Sequence, residues 1–362
     1  MAIFDSREFA EHDEVCLYRD RRSGLSAIVA IHDTTLGPAV GGCRMWPYHC
    51  EEDAVRDALR LSRGMTYKNA LADLPFGGGK SVILGDSRKE KSEALLLAFG
   101  RFIEGLGGRY IAAEDVGLSV PDLEVVSRET RYVAGLAHGH GGGGDPGPFT
   151  AQGVLVSIRV AVEHRLGRSS LEGVRVAVQG VGNVGMHLCR ALHQEHAELV
   201  VADLNAEAVA AAVSQFGARA VHPEDLLSED VDVFAPCAMG AVLGDTAVRE
   251  LHAKVVVGSA NNQLARPHHG DELWRRDVLY APDYVANAGG VINVASELSG
   301  EYEPDVVMDR VEAIGERLRG ILVAAETKGQ APFRVADAMA REKIEAARAA
   351  RRDLRGQSAE TG

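Results

Sequence analysis

A glycine-rich turn at residues 180–185 constrains the fold of this chain more than any other stretch. It follows VRVAVQ at 174–179, a continuous apolar run that predicts a buried strand. A helix is predicted from about 183 to 195, and ELVVAD at 198–203 predicts a further strand. This order of strand, turn, helix and strand is typical of a doubly wound parallel sheet that binds a dinucleotide.

Each glycine of the turn has its own function in such a motif. Gly180 permits a tight bend, Gly182 lets a pyrophosphate approach bare backbone, and Gly185 allows the helix to pack closely against the strand. The N-terminus of the helix attracts the phosphates, because its free N–H groups carry partial positive charge. The other cofactor-binding residues predicted in the turn are Val181, Asn183 and Val184.

Asp203 indicates which dinucleotide is bound. It lies about twenty residues beyond the turn, where an acidic side chain accepts hydrogen bonds from the adenosine ribose. Leu204 and Asn205 follow it, so no arginine stands beside it to offset the charge of a 2′-phosphate. The sequence therefore predicts NAD rather than NADP.

A second glycine-rich stretch, KNALADLPFGGGK, places Lys68 and Lys80 in the N-terminal half of the chain. Three consecutive glycines leave room for a ligand beside the backbone, and Lys80 is expected to point into that room. Two ammonium groups in one water-poor cleft repel each other, so one becomes easier to deprotonate and can act as a base. On these residues alone, a solvated loop with inert lysines stays open as the alternative.

Asp115 is predicted to be the third polar member of this cleft. The stretch RYIAAED at 109–115 predicts a strand that ends in two carboxylates, and ligands bind at the carboxyl ends of strands in open α/β sheets. A turn cap is the alternative function for Asp115. Gly-Lys-Ser at 79–81 resembles the end of a phosphate-binding loop, but Leu74 stands where that motif needs a glycine. A nucleoside triphosphate site is therefore not expected.

Two further glycine-rich segments predict turns or loops. In TTLGPAVGGCRMW at 34–46, Gly41 and Gly42 are expected to turn the chain and bring backbone amides close to a ligand. HGHGGGGDPGP at 138–148 has no periodicity and predicts a linker between domains. The predicted domains are a substrate-binding and catalytic domain at 1–147, joined by a C-terminal helix at about 331–362, and a nucleotide-binding domain at 148–330.

The C-terminal half continues the alternating pattern of a parallel sheet. Strands are predicted at 231–237 and 253–260, and a single long amphipathic helix is predicted from 305 to 328. Small or polar residues that could meet a ligand come at or just after the strand ends: Cys237, Ala238, Asn261 and Asn262.

Composition excludes several classes of function. The 362 residues carry a formal net charge of −13, which argues against a nucleic-acid or anionic-membrane partner. No apolar run approaches the ~18 residues of a membrane span, and the charged N-terminus shows no secretion signal. The five cysteines form no CxxC pair and are expected to be reduced thiols in a cytoplasmic protein. The histidines lack metal-site spacing, so no metal is expected.

Long motifs along the chain resemble those of a known family. They are HDTTLGPAVGGCRMW, RGMTYKNAL, GGGKSVI, AAEDVG, QGVGNVG, APCAMG, GSANNQLA and YAPDYVANAGGVINVASEL. From about residue 14 to 350, the chain resembles the amino-acid dehydrogenases of the glutamate/leucine/phenylalanine/valine family, and most closely the leucine and valine branch. The resemblance implies an α/β fold: an N-terminal substrate and oligomerisation domain, a Rossmann-type NAD-binding domain, a cleft between them, and a homo-oligomer.

The resemblance also implies a reaction and site residues. The reaction is reversible oxidative deamination of an L-amino acid to a 2-oxo acid and ammonia. Lys68 would bind the substrate α-carboxylate, Lys80 would be the base that activates water, and Asp115 would assist proton transfer. Asn262 would orient the substrate near the nicotinamide, and Thr150 would help hold the cofactor. Further substrate positions are Gly41, Gly42 and Met65, and further cofactor positions are Leu204, Cys237 and Ala238.

Four further positions would set the choice of substrate side chain. The family's pocket positions fall on Val40, Ala113, Val291 and Val294. These small aliphatic groups offer no partner to a charged side chain, which favours leucine, valine and isoleucine over glutamate. Two alternatives stay open: an enzyme for phenylalanine or tryptophan, and a non-catalytic NAD-binding protein. The presence of both lysines and of Asp115 argues against the second.

Overall fold

The chain folds into two compact units. The computed structural model describes residues 8–9, 11–136, 143–238, 240–300 and 302–360, with side chains as far as residue 353. The first unit comprises Met1–Asp145, Val294–Tyr302 and Met339–Gly362, and the second comprises Pro146–Asn293 and Glu303–Ala338. The sequence did not indicate that the short segment Val294–Tyr302 would pack with the first unit.

A mixed sheet forms the centre of the first unit. Over the described residues its five strands are β1 (Glu14–Asp20), β2 (Leu25–Asp33), β3 (Ala39–Trp46), β4 (Gly77–Leu84) and β5 (Tyr110–Glu114). The spatial order is β1-β2-β4-β3-β5, with β1–β2 and β2–β4 antiparallel and the β4–β3 and β3–β5 pairs parallel. The sequence analysis did not predict β1.

Helices cover both faces of this sheet. They are α1 (Glu51–Leu71), α2 (Glu93–Gly105) and α3 (Val120–Ser127). Successive side chains of β2 point to opposite faces, as the period of a strand requires. Ile28 and Ala30 pack with Ala54 and Ala58 of α1, whereas the intervening residues of β2 join the core under α2 and α3. The helical spacing predicted for α1 thus matches its buried face.

The second unit contains a fully parallel sheet. Within the described ranges its strands are β6 (Arg175–Gln179), β7 (Glu198–Ala202), β8 (Arg219–Ala220), β9 (Val233–Pro236), β10 (Val255–Val256) and β11 (Leu279–Tyr280). Their order is β11-β10-β9-β6-β7-β8, and every neighbouring pair is parallel. This is the doubly wound sheet predicted from the glycine-rich turn, which lies between β6 and the helix that follows it.

The remaining helices all come after Asp145 in the chain, and several of them follow a strand of the second sheet. They are α4 (Gly147–Leu166), α5 (Asn183–Gln194), α6 (Ala206–Phe216), α7 (Asp245–Glu250), α8 (Pro267–Arg275), α9 (Asp283–Ala286), α10 (Gly289–Leu298), α11 (Pro304–Glu312), α12 (Ile314–Lys328) and α13 (Pro332–Glu360). The segments α10 and α13 contribute residues to both units.

Two predicted loops are strands. Gly41 and Gly42, expected in a turn, lie within β3, and the three glycines before Lys80, expected in a loop, begin β4. Glycine is common in turns, and the prediction followed that preference. In this sheet the glycines instead allow neighbouring backbones to approach closely, which the sequence pattern does not reveal.

Three other boundaries differ from the predictions. The predicted linker at 138–148 lies outside the described residues as far as 142, but its last two residues already belong to α4. The single helix predicted over 305–328 is divided at Ala313 into α11 and α12, although the apolar pattern continues through both. The strand predicted at 253–260 pairs only over Val255–Val256, because the chain then turns close across β9: a Cβ at Gly258 would lie 2.2 Å from the oxygen of Pro236.

Candidate active site

Two glycine-rich strands place Lys80 in the buried centre of the first sheet, where it is 3% exposed. A Cβ at Gly41 of β3 would lie 1.8 Å from the carbonyl oxygen of Gly79 on β4. A Cβ at Gly78 would lie 2.0 Å from the backbone nitrogen of Thr66, so α1 lies directly against β4. Only glycine fits at these contacts. The glycines therefore allow the close packing that surrounds Lys80.

Lys80 forms an ion pair with Asp115, the residue directly after β5. Its Nζ donates to Oδ2 of Asp115, and Nε of Arg44 on β3 donates to the same oxygen at 3.2 Å. A Cβ at Gly42 would lie 2.7 Å from Cβ of Asp115 and 3.2 Å from Nζ of Lys80, so glycine leaves the space that this pair occupies. The structure brings two predicted site residues together and adds Arg44, which the sequence analysis missed.

The electrostatics of this cluster keep the carboxylate ionised. Burial by itself raises the pKa of Asp115, but the charges of Lys80 and Arg44 lower it, and its pKa lies well below the usual range. Burial lowers the pKa of Arg44, whereas Asp115 and Asp57 raise it above its ordinary value. The sequence did hold a signal for Arg44, because a charged residue inside the otherwise uncharged strand AVGGCRMW needs a buried partner.

Tyr110 fixes the backbone beneath the ion pair. Its hydroxyl donates to the carbonyl oxygen of Gly41 at 2.6 Å and lies 2.9 Å from Oγ of Ser81. A Cβ at Gly79 would lie 2.6 Å from the Tyr110 ring, so this glycine makes room for the ring. Burial raises the pKa of Tyr110 well above its ordinary value, and the hydroxyl stays neutral. The sequence analysis did not single out Tyr110.

The predicted substrate lysine lies at the C-terminal end of α1. Lys68 is 8% exposed, and Met65, one turn earlier on the same helix, is half-buried. The amide of Asn69 donates to the carbonyl oxygen of Gly77 at 2.6 Å, which ties this end of α1 to the start of β4. Lys68 and Lys80 are thus held by directly connected elements. The assignment of Lys68 to a substrate carboxylate stays a prediction.

A small apolar cluster in the first unit contains two of the predicted pocket residues. Val40, Ala134 and Val294 are buried together, with Phe76, Ile111 and Leu298 packed against them. Ala113, on β5, is 8% exposed. Val291 is half-buried in α10 and belongs to the second unit. The sequence analysis missed Ala134, which becomes a neighbour of Val40 only through the fold.

In the second unit, the glycine-rich turn combines a tight bend with bare backbone beside open space. Gly180 has φ +93°, and a Cβ on it would lie 2.8 Å from Cβ of Ala238. A Cβ at Gly185 would lie 2.1 Å from the oxygen of Gly180, whereas one at Gly182 would meet nothing within 4 Å. The first turn of α5, which begins at Asn183, carries no acidic residue. Open space beside bare backbone at a helix N-terminus fits a pyrophosphate.

Asp203 is held against this turn. Its Oδ2 accepts a hydrogen bond from the backbone nitrogen of Val181 at 2.8 Å, and its Oδ1 accepts one from Asn205 at 2.8 Å. Leu204, beside it, is 95% exposed. The carboxylate is therefore fixed at the end of β7, where the motif places the acid that meets the ribose.

Three further predicted cofactor residues lie near strand ends or at the start of a helix. The backbone nitrogen of Cys237 donates to Gln179 at 2.7 Å, and burial raises the pKa of the Cys237 thiol. Ala238 packs over Gly180, as described above. The hydroxyl of Thr150 donates to the oxygen of Pro146 at 3.0 Å, in the first turn of α4.

Asn262 has a left-handed backbone that a neighbouring carboxylate supports. Its φ is +52°, and its backbone nitrogen donates to Oδ2 of Asp283 at 2.6 Å. Oδ1 of Asp283 accepts from the hydroxyl of Tyr280 at 2.8 Å. A strained conformation fixed in this way is common at ligand-binding positions. Asp283 is a supporting residue that the sequence analysis missed.

Asp245, His268 and His269 lie close together in the described part of the second unit. The backbone nitrogen of Arg266 donates to Nδ1 of His269 at 3.1 Å, so Nε2 carries the proton and donates to Asp245 at 2.8 Å. Neither ring nitrogen of His269 then has a lone pair free for a cation. This group does not form a metal site in that tautomer, and the expected absence of a metal stays a prediction.

A parallel sheet with a glycine-rich turn in one unit and a buried lysine–aspartate pair in the other fit the class of nicotinamide-dependent dehydrogenases. Residues 9–132 match the family model for the Glu/Leu/Phe/Val dehydrogenase dimerisation domain. Residues 141–208 and 201–352 match the model for glutamate/leucine/phenylalanine/valine dehydrogenase. The chain belongs to this family and is an amino-acid dehydrogenase. Dehydrogenases of this kind use a nicotinamide cofactor. The two family matches confirm the predicted family and enzyme class, and they set aside the non-catalytic alternative.

Several individual members of the family are similar to this chain over nearly its whole length. The chain is 52% identical to leucine dehydrogenase of Geobacillus stearothermophilus over 351 residues, which covers 97% of this chain and 95% of that protein. It is 48% identical to valine dehydrogenase of Streptomyces virginiae over 340 residues, covering 93% and 95%. The crystal structure of L-tryptophan dehydrogenase from Nostoc punctiforme superposes with a TM-score of 0.77 at 41% identity, covering 96% and 99%. Among the described residues, every helix is too short or too polar to span a lipid bilayer.

Proposed function

We propose that this protein catalyses the NAD-dependent, reversible oxidative deamination of a branched-chain L-amino acid, giving the 2-oxo acid and ammonia. The observation that carries the proposal is the buried Lys80–Asp115 pair in the same unit as an uncharged aliphatic cluster. The leucine and valine dehydrogenases among its relatives, at 52% and 48% identity, support the same substrate class.

Each proposed site residue of the first unit has its own function in this reaction. Lys68 binds the α-carboxylate of the substrate as a point charge. Lys80, once its proton has gone to solvent, takes a proton from the water that adds to the substrate imine carbon, and returns one as ammonia leaves. Asp115 orients Nζ of Lys80 and stabilises its charged form between these two transfers. Gly42 leaves the space beside Lys80 and Asp115 free, and Gly41 lets β3 lie directly against Gly79 of β4.

The cofactor functions belong to the second unit. Bound at the turn, NAD supplies an oxidised nicotinamide ring that accepts the hydride from the substrate Cα. The pyrophosphate is held by the turn and by the N-terminus of α5, and Asp203 accepts hydrogen bonds from the ribose. The exposed Leu204 offers nothing to a 2′-phosphate, which favours NAD over NADP. Thr150, Asn262, Cys237 and Ala238 complete the cofactor positions, and Asn262 also orients the substrate.

The substrate side chain is assigned from the apolar cluster. Val40, Ala134 and Val294 present no charge, so the carboxylate of a glutamate side chain would lose its hydration without gaining a partner. A relative at 41% identity is named L-tryptophan dehydrogenase. An aromatic amino acid is therefore the second candidate substrate.

We further infer a homo-oligomer, because residues 9–132 match a domain described as the dimerisation domain of the family. All five cysteines are free thiols, which is consistent with the reducing cytoplasm. Size-exclusion chromatography with light scattering tests the first inference, and a monomer at micromolar concentration would contradict it.

A substrate panel tests the proposed reaction. The purified protein is assayed with leucine, valine, isoleucine, phenylalanine, tryptophan and glutamate, each with NAD and with NADP, by following the absorbance of the reduced nicotinamide. We expect the highest kcat/KM with the three branched-chain amino acids and NAD. Higher kcat/KM for phenylalanine or tryptophan would reject the substrate assignment, and equal efficiency with NADP would reject the function given to Asp203.

A further inference from the structure

Arg44 is held on both sides by carboxylates. Its Nε donates to Oδ2 of Asp115 at 3.2 Å, and its NH1 group donates to Oδ2 of Asp57 on α1 at 2.9 Å. The hydroxyl of Tyr48 donates to the same oxygen of Asp57 at 2.6 Å. The arginine side chain is only 12% exposed. Its guanidinium group is therefore held in one position beside the proposed base and is largely shielded from solvent.

The shared oxygen of Asp115 links Arg44 to Lys80. While Lys80 is charged, one carboxylate faces two cations, and each cation disfavours the other. When Lys80 loses its proton, Asp115 keeps Arg44 as a partner, so no uncompensated charge is left in a site where this carboxylate is 13% exposed. Without Arg44, the same deprotonation would strand a nearly buried carboxylate, which is costly.

We propose that Arg44 is a positioning residue of the reaction: it holds Asp115 in its ionised form and in one orientation, and so allows Lys80 to give up its proton to solvent and act as a base. This inference rests on the proposed function, since it assumes that Lys80 is the base. Asp57 acts in the opposite sense, because its negative charge offsets part of the charge of Arg44.

Other ionisable groups lie on the elements that neighbour β4. They are Cys43 on β3, Tyr110 and Glu114 on β5, Lys68 and Asp57 on α1, and His32 and Asp33 on β2. Burial raises the pKa of Cys43 to about 12 and lowers that of His32 to about 3, so both are neutral near pH 7, as is Tyr110. Asp33 has its own partner, Arg348, at 2.5 Å.

The surrounding groups therefore do not replace Arg44 as the second partner of Asp115. Glu114, whose pKa is raised first by burial and then by neighbouring carboxylates, is an acid and cannot act as a cationic partner of Asp115. Lys68, at the C-terminal end of α1, is unchanged in the variants below. Differences between those variants accordingly report on Arg44 and Asp57.

The test is the pH profile of kcat/KM for leucine at saturating NAD, measured for wild type, Arg44→Gln, Arg44→Lys and Asp57→Asn. The acid-side midpoint should move to higher pH by about one unit in Arg44→Gln, the scale of a single neighbouring charge. Arg44→Lys should restore most of the wild-type midpoint. Asp57→Asn should move the midpoint to lower pH. Ionisation of the substrate is common to all four and cancels in the comparison.

Arg101→Gln is the matched control. Arg101 also pairs with a carboxylate in the first unit, Glu129 at 2.9 Å, but it is exposed. This variant should keep the wild-type midpoint. A purely structural function for Arg44 predicts lower activity with an unmoved midpoint, or the same direction of change in Arg44→Gln and Asp57→Asn, and either result would overturn the proposal. If Arg44→Gln does not fold, the restored midpoint of Arg44→Lys and the lower midpoint of Asp57→Asn decide the question.

A second measurement separates this proposal from the proposed function. The rate at which an amine-reactive acylating reagent labels Lys80, followed by mass spectrometry across pH, requires no turnover. The labelling midpoint should move in the same directions in the same variants. If wild type shows no turnover of branched-chain amino acids, the proposed function fails, while the labelling midpoints still test Arg44. If turnover is normal and neither midpoint moves, only the inference on Arg44 fails.

Discussion

The two units use glycine for different physical reasons. In the first unit, Gly41 and Gly79 lie in extended strands, and a side chain at either would strike the neighbouring strand or the Tyr110 ring. In the second unit, Gly180 has φ +93°, a conformation that side chains disfavour, and Gly182 faces open space. At these positions glycine makes room for protein in the first unit, whereas in the second it permits a tight turn and leaves open space beside the backbone. The same residue type therefore indicates dense packing in one place and accessible backbone in the other.

The largest expected effect comes from the lysine that the strand glycines surround. Lys80→Ala should lower turnover by roughly 10²–10⁴, the usual contribution of a positioned acid–base group. The Kd for NAD should stay at its wild-type value, because the turn belongs to the other unit. Steady-state kinetics and nucleotide titration measure the two quantities. Near-normal turnover in this variant would show that the base is a different residue.

The next effect tests the space beside the ion pair. Gly42→Ala places a methyl group 2.7 Å from Cβ of Asp115 and 3.2 Å from Nζ of Lys80, so one of these groups must shift. Turnover should fall by up to about a hundredfold, as misplacing a catalytic group by an ångström can cause. Gly105→Ala is the control, since a Cβ there would meet nothing within 4 Å, and it should keep full turnover. Equal kinetics in the two variants would remove the steric explanation for Gly42.

The turn glycines should separate binding from stability. Gly182→Ala adds a methyl group in open space, so the melting temperature should not change. The Kd for NAD should rise by about tenfold, the low end of what one misplaced methyl group costs in a binding site. Gly185→Ala should lower the melting temperature, because its Cβ would lie 2.1 Å from the oxygen of Gly180. A Gly182→Ala variant that binds NAD normally would exclude close approach of the pyrophosphate at that residue.

The smallest effect is a pH dependence of stability from the ion pair. The folded protein lowers the pKa of Asp115, so the ionised carboxylate stabilises the fold at pH values above its unfolded pKa of about 3.9. This contribution is lost as the pH falls below that value, because the unfolded chain then binds the proton more strongly. The melting temperatures of wild type and Asp115→Asn are measured at intervals of about one pH unit from pH 5 downwards. The difference between them should shrink as the pH falls. A difference that is constant with pH would contradict this account.

Local patterns predicted the second unit well. The order of strand, glycine-rich turn, helix and strand is set by residues close in sequence, and β6, α5 and β7 were predicted within one or two residues of their bounds. The first unit was predicted less well. Its strand glycines were expected in loops, β1 was not expected, and Arg44, Tyr110 and Ala134 were missed, because their partners lie far along the chain.

The amino-acid sequence by itself determined the family, the dinucleotide motif and the presence of two lysines and an aspartate with the chemistry of a deamination. The tertiary structure decided which groups meet: Lys80 and Arg44 on one oxygen of Asp115, Asp57 behind the arginine, and Val40 beside Val294. Local patterns are set by the preferences of neighbouring residues, whereas the charge state of a buried group depends on partners that only folding brings within a few ångströms.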